Sequence, residues 1–397
     1  MKVVLAFSGG LDTSFCVPWL KEEKGARVIT VTVNTGGATR EDLDQVARQA
    51  EAVGAWEHKE IDARRAVYEG FISTLIQGNV LRGQVYPLSV AAERTQQALE
   101  VAKVARQVGA DAVAHGSTGA GNDQVRFDIA FRVLLDLPIL TPVRDLGLSR
   151  EEGAAYLRER GLPVPEGATR YSINRGLWGT TLGGDWTHDP WTGPPADAFE
   201  EEGGAPAPPP KEIVLGWKGG LPVSLDGRSL EGPDLVEALS EILRPYRIGR
   251  AIHLGETVLG IKGRIGFEAG AAILLIHAHR ELEKLVLTRW QAFWKDQLAS
   301  FFGDRLHEGQ AFDPVMKDIA AMIRSSQERV EGETRVRLEE GRFLVTGVRS
   351  PFSLMDPAVA RYGETNALWN GAEARAFAKV SAIPAWLHFR AGKEKEG

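Results

Sequence analysis

The chain has 397 residues, 43% hydrophobic and 25% charged, which is ordinary globular composition in a length that suggests two domains. A formal net charge of −6 argues against a general nucleic-acid surface, since phosphate binding needs a basic patch, and no nucleic-acid partner is expected. Cys16 is the only cysteine, so an internal disulfide is excluded, and the longest apolar run, 269–276, is far below the roughly eighteen residues of a membrane span. A cytoplasmic protein without membrane association is expected, with no removable leader because a ligand-binding turn begins inside the first ten residues.

Met1 to Ala6 reads as a short buried strand, and Thr13 onwards has helical spacing. Between them Phe7 to Ser14, Phe-Ser-Gly-Gly-Leu-Asp-Thr-Ser, places glycines where the backbone must turn and lie against a ligand. A strand, a glycine turn and a helix N-terminus together make an anion site, because unpaired amide N–H groups converge there and the helix dipole adds positive potential. Ser8, Thr13 and Ser14 add hydroxyl donors. Asp12 is the exception: a carboxylate beside a phosphate calls for a cation between them, and Mg²⁺ fits that role. Cys16 falls on the apolar stripe of the first helix and is expected to pack rather than react.

Val28 to Val33 is a second buried strand, Arg40 to Val53 a helix, Ala91 to Val108 a helix and Ala112 to Ala114 a strand. This rhythm predicts a doubly wound, mostly parallel sheet with helices on both faces. Ligands of such sheets lie beyond the carboxyl ends of the strands, so Gly9-Gly10 and the loop Gly116 to Gly121 should face one site. Within His115 to Phe127, three glycines stand among Thr118, Asn122, Asp123, Gln124 and Arg126. That cluster could hold a zwitterionic amino acid, Asp123 taking an ammonium and Arg126 a carboxylate. His115, at a strand end, is expected to be structural rather than catalytic.

Thr141 to Asp145 closes another expected strand, and Ser149 with Glu152 forms a capping box for a helix from Arg150 to Arg160. The rhythm changes after Pro165. We therefore expect a nucleotide-binding domain over 1–165, an α+β substrate domain over 166–356 and a helical tail over 357–397. In the second domain a proline-rich loop covers Asp185 to Lys211, followed by strands at Ile213 to Trp217 and Pro222 to Ser224 around an Asp226-Gly227 turn. Helices are expected over Asp234 to Leu243, His279 to Phe302 and Asp313 to Ser326. Strand candidates are Val258 to Ile261, Ala272 to His277, and a hairpin of Glu333 to Leu338 with Arg342 to Val348. The tail carries Trp369, Phe377, Trp386, Leu387 and Phe389 on a polar background, an apolar face suited to a partner subunit or to its own domain.

The Phe7 to Ser14 turn is neither a Walker loop nor a dinucleotide fingerprint. It resembles the PP-loop of ATP pyrophosphatases, which cleave ATP between its α and β phosphates. Together with His115 to Phe127, Tyr171 to Gly179, Asp189-Pro190-Trp191-Thr192 and Ser326 to Gly332, in family order over most of the chain, it resembles the argininosuccinate synthase family. The resemblance implies an ATP-dependent ligase that joins citrulline to aspartate through citrullyl-AMP, using Mg²⁺, as a homo-oligomer, a tetramer by family resemblance.

The same resemblance implies ATP contacts at Ala6, Phe7, Ser8, Gly9, Gly10, Leu11, Asp12, Thr13, Ser14, Val33 and Gly116. It implies aspartate contacts at Thr118, Asn122 and Asp123, and citrulline contacts at Tyr86, Ser89, Asn122, Arg126, Ser172 and Thr181. Asp12, Asn122, Asp123 and Arg126 are expected nearest the chemistry, with Asp12 on the metal. One departure stands out. The family's citrulline-binding Glu falls on Gly255 and its Tyr on Phe267, in a register held by Gly260, Lys262, Arg264 and Glu268. Either Glu256 or Glu93 takes over and free citrulline is used, or the pocket takes citrulline with an acylated α-amine or another ureido compound; free citrulline is favoured. A tRNA thiolase is disfavoured by the single thiol and the acidic charge, and a non-catalytic nucleotide-binding regulator by the intact loops.

Overall fold

The structure is a computed structural model that describes residues 1–165, 172–195, 198–199, 206–364 and 368–393. Residues 1–351 pack as one compact unit and 352–397 as a second. The expected division at 165/166, Tyr171 and part of the proline-rich segment border or fall outside the described residues.

In the first unit, β1 (Lys2–Ala6), β2 (Arg27–Asn34), β3 (Glu57–Asp62), β4 (Ala112–His115) and β5 (Ile139–Leu140) form a sheet in the order β3-β2-β1-β4-β5. Every pairing in it is parallel. Alternate residues of the central strands feed two cores. Val4, Ile29, Val31 and Val113 pack with Ala98, Val101, Ala102, Phe127 and Phe131 on one face. Val3, Leu5, Val28, Ala112 and Ala114 pack with Phe15, Val17 and Leu20 on the other. Because both faces are covered, β1 and β2 read as continuous apolar runs rather than alternating ones. Each fully buried Val, Leu, Ile or Phe side chain among them contributes roughly 1.5–3 kcal/mol. Cys16 lies wholly inside this core, and burial pushes its thiol far up from the ordinary range. β3, Glu-His-Lys-Glu-Ile-Asp, went unpredicted because it is a charged edge strand.

Beyond residue 171, two antiparallel sheets appear. β8 (Lys211–Lys218), β9 (Leu221–Leu225), β10 (Arg228–Ser229), β13 (Gly332–Glu339) and β14 (Arg342–Arg349) form one. β6 (Ser172–Asn174), β7 (Thr180–Gly183), β11 (Arg250–Glu256) and β12 (Lys262–Glu268) form the other, in the order β11-β12-β7-β6. The Glu333–Leu338 hairpin and the helices Gly232–Leu243 and Pro314–Ser326 match the reading of the sequence.

Five expectations are corrected. Ala272 to His277 is not a strand but part of the helix Gly270–Val286, whose Ala271, Leu274, Leu275, Ile276, Ala278 and Leu282 are all buried. A helix buried nearly all round loses the period that marks one. Val258 to Ile261 is the turn joining β11 to β12, closed by Thr257 N–H donating to the Ile261 carbonyl at 2.8 Å. Thr141 to Asp145 is largely helical, because Pro142 starts the short helix Pro142–Leu146 after a strand of only two residues. The β8–β9 hairpin turns at Gly219-Gly220, both with positive φ, while Asp226-Gly227 leads into β10. The long helical stretch from His279 is two helices, divided where Thr288 forms a capping box with Gln291.

Candidate active site

At the carboxyl edge of the parallel sheet, Ala6 lies level with Val31 on β2 and His115 on β4. The two glycine loops therefore leave the sheet side by side. Gly9, at φ +74°, makes the turn, and the helix Leu11–Lys24 begins at Gly10 without any side-chain cap. Its first amide groups are thus left for an anion. Ser8 is held over this turn: its N–H donates to Thr13 Oγ1 at 3.3 Å, and the two hydroxyls lie 3.2 Å apart. A Cβ on Gly116 would come within 3.1 Å of the Asp12 and Thr13 backbone, so only glycine lets the two loops meet this closely.

A cavity of about 510 Å³ opens there. Of the expected ATP contacts, Ala6, Phe7, Ser8, Gly10, Leu11, Asp12, Thr13, Val33 and Gly116 line it. Gly9 and Ser14 do not; they build the turn from behind, Gly9 against Val46 and Ser14 beneath Gln49. A second cavity, of about 420 Å³, adjoins the first. Both are walled by Asp12, Ser117, Asp123, Arg150, Ser172 and Asn174. Asp12 therefore stands at the junction. Burial raises its carboxyl above the ordinary range, with Arg150 acting in the opposite direction.

The second cavity gathers Thr118, Asn122, Asp123, Arg126, Tyr86, Ser172 and Thr181, the residues expected to hold the two amino acids. Ser89 is wholly buried and does not reach it. Ser172 and Thr181 come from the neighbouring antiparallel strands β6 and β7, where Asn174 pairs with Thr181. Tyr86 is presented by a strained turn. Leu88 takes φ +62°, a conformation costing a bulky residue about 1–3 kcal/mol, and is held by its full burial and by Trp178 Nε1–H donating to the Pro87 carbonyl at 2.9 Å.

Asp123 and Arg126 bond to each other rather than waiting apart for substrate charges. Asp123 accepts from Arg126 Nη1 at 2.9 Å and from Arg94 Nε at 2.8 Å. Burial works to raise its carboxyl, but Arg94 and Arg126 outweigh this and hold it below the usual carboxylate range. Arg126 also donates through Nε to the His307 carbonyl at 3.1 Å. Asn122 Oδ1 accepts from the Val258 N–H at 2.8 Å, which ties the β11–β12 turn to the glycine loop. Its amide nitrogen is the half left to meet a ligand. His115 is buried, with Nε2 2.9 Å from Asp128 and Nδ1 accepting from the Ser117 N–H, so it shapes the loop as expected.

Neither carboxylate considered as a replacement at position 255 stands free in this cavity. Glu256 is exposed and paired with Lys262 at 2.8 Å. Glu93 is buried against the backbone of Gly176 and Trp178 and does not line the cavity. Arg94, Arg150, His253 and His307 also reach one or both cavities, and sequence reading had not singled them out for the site. For His253 a signal was available: it lies two residues before Gly255, on the same face of a strand.

Residues 2–163 match the family described as the argininosuccinate synthase N-terminal HUP domain, and residues 171–388 the argininosuccinate synthase C-terminal domain. An argininosuccinate synthase of Methanothermobacter thermautotrophicus is 39% identical over 363 residues, 91% of this chain and 90% of that protein. Argininosuccinate synthases of Dictyoglomus thermophilum and Xanthomonas campestris are 36% and 37% identical, each covering at least 97% of both chains.

Proposed function

The chain belongs to the argininosuccinate synthase family, and on that premise we propose that it is an ATP-dependent carbon–nitrogen ligase condensing citrulline with aspartate to give argininosuccinate, AMP and pyrophosphate. The observation that carries this reading is the pair of adjoining cavities, one walled by the glycine turns and the other by paired polar side chains, which share Asp12. ATP lies along the first, its phosphates over the Gly10 helix start. In the second cavity Arg126, Ser172 and Thr181 hold citrulline, and Thr118, Asn122 and Asp123 hold aspartate.

The ureido oxygen of citrulline attacks the α-phosphorus, the bond to the β-phosphate bridging oxygen breaks, and pyrophosphate leaves. The aspartate amine then attacks the ureido carbon, AMP leaves with the ureido oxygen, and the amine gives up its protons. Good leaving groups make positioning the main requirement. The site meets it with uncapped amides, hydroxyls and the Arg94–Asp123–Arg126 lattice, which fixes side chains before substrates arrive. Mg²⁺ fits here with Asp12 as its protein ligand, because a carboxylate at the phosphate end needs a cation between them. When bound it neutralises charge on the departing pyrophosphate.

Residues 1–165 serve as the nucleotide-binding domain, 166–356 complete the amino-acid pocket, and the tail joins subunits into a homo-oligomer, a tetramer. Support for the last point is the exposure of Phe377, Val380, Trp386, Leu387 and Phe389 on the tail helices. Sedimentation of the full chain as a monomer at micromolar concentration would refute it. No described helix is long and apolar enough to cross a membrane, in keeping with a cytoplasmic enzyme. The activity is tested by measuring AMP release with each amino acid omitted in turn. Release should require citrulline; release unaffected by its omission contradicts the proposal.

A further inference from the structure

Position 255, where the family's citrulline-binding Glu would fall, has no side chain in this chain, and the space beside it is filled. A Cβ built on Gly255 would lie 2.6 Å from His253 Nε2. The imidazole of His253 therefore covers Gly255, two residues along the same face of β11. It is fixed there from both sides. The Tyr86 ring stacks on it at 5.5 Å between centroids and 18° between planes, and a Cβ on Gly83 would come within 3.0 Å of its Cε1. His253 lines the amino-acid cavity together with Tyr86, Thr181 and Arg126. Among the described residues, neither of its ring nitrogens makes a hydrogen bond.

We propose that His253 is a substrate-binding residue that takes the place of the absent carboxylate, its neutral imidazole accepting a hydrogen bond from the α-amino group of the ureido amino acid. This rests on the reading of citrulline as substrate. The carboxylates around the cavity are committed elsewhere: Asp123 to Arg94 and Arg126, Glu256 to Lys262, and Asp12 to the nucleotide end. An unprotonated ring nitrogen is the acceptor that remains. Burial first, then Arg82, lowers the pKa of His253 from its ordinary value, so the ring is neutral at pH 7. The groups facing it are Arg82, Tyr86 and His307, with Glu256 on its own strand; His307 is itself held neutral, chiefly by burial.

The test pairs a substrate deletion with a side-chain deletion. Wild type should prefer citrulline over 5-ureidopentanoate, which lacks the α-amine, by tenfold or more in kcat/KM. In His253→Ala the two should fall within about twofold, with KM for ATP and aspartate unchanged. His253→Gln, which keeps an acceptor, should retain part of the preference. The wild-type KM for citrulline should rise as acid protonates the ring, at a pH below the ordinary histidine range, and His253→Ala should lose that dependence. Equal losses on both substrates in His253→Ala, or a wild-type preference for N-acetylcitrulline over citrulline, overturns the inference. An enzyme that turns over neither citrulline nor 5-ureidopentanoate overturns the citrulline reading itself.

Discussion

Asp12 lines both cavities, and the proposed function puts nucleotide chemistry on one side of it and amino-acid chemistry on the other. Replacing it by Asn keeps the shape of the helix start but removes the charge that would hold Mg²⁺ against pyrophosphate. A loss in kcat of about 10²-fold or more is expected, as for removal of one preorganised electrostatic contact at a transferring group. Activity near wild type at limiting Mg²⁺ would show that Asp12 holds no metal. Glu93 makes a different residue-scale prediction. Burial pushes its carboxyl up to about 8, whereas the unfolded chain releases that proton at the ordinary glutamate value. Between those two values the folded state binds the extra proton, so stability falls as pH rises through that window and levels off above it. Glu93→Gln should flatten this slope and stabilise the protein at pH 9 relative to wild type, as read from urea midpoints. A slope unchanged by the substitution would mean that Glu93 is ionised in the folded chain.

Among the elements, the helices Gly270–Val286 and Arg289–His307 are joined by a buried polar network. Lys295, wholly buried on the second, donates to Glu283 on the first at 2.8 Å and to the Gln77 carbonyl at 3.4 Å. Asn79 also donates to Glu283, and its side-chain oxygen lies 2.6 Å from His279 Nδ1. Lys295→Met leaves Glu283 buried without its cation and should cost about 3–5 kcal/mol. Adding Glu283→Gln should recover much of that loss, and a single-variant cost under about 1 kcal/mol would contradict the account. Such a network explains where sequence reading failed. His279, Glu283 and Lys295 sit where an amphipathic helix would be apolar, and the apolar run before them is buried except at Ile273 and His277, so Ala272 to His277 looked like a strand. The glycine turns were legible because their conformation demands particular residues, and so were the capped helices at Ser149 and Asp313. The β11–β12 hairpin was not, since its partner β7 lies some eighty residues away in the chain. For the same reason His253 could not be seen stacking on Tyr86.

For the molecule as a whole, the parallel sheet brings two glycine loops to one edge, and the antiparallel hairpins of residues 172–268 close the space above them. Asp12, Asn122 and Thr181 reach the same cavity from three segments widely separated in sequence. That convergence is what links adenylation to amine transfer in a single enclosed space, and the oxygen path records it. With [ureido-¹⁸O]citrulline, unlabelled ATP and aspartate, the account predicts that the label appears in the phosphate of AMP and is absent from pyrophosphate and argininosuccinate. AMP released without ¹⁸O, while argininosuccinate forms, would contradict it.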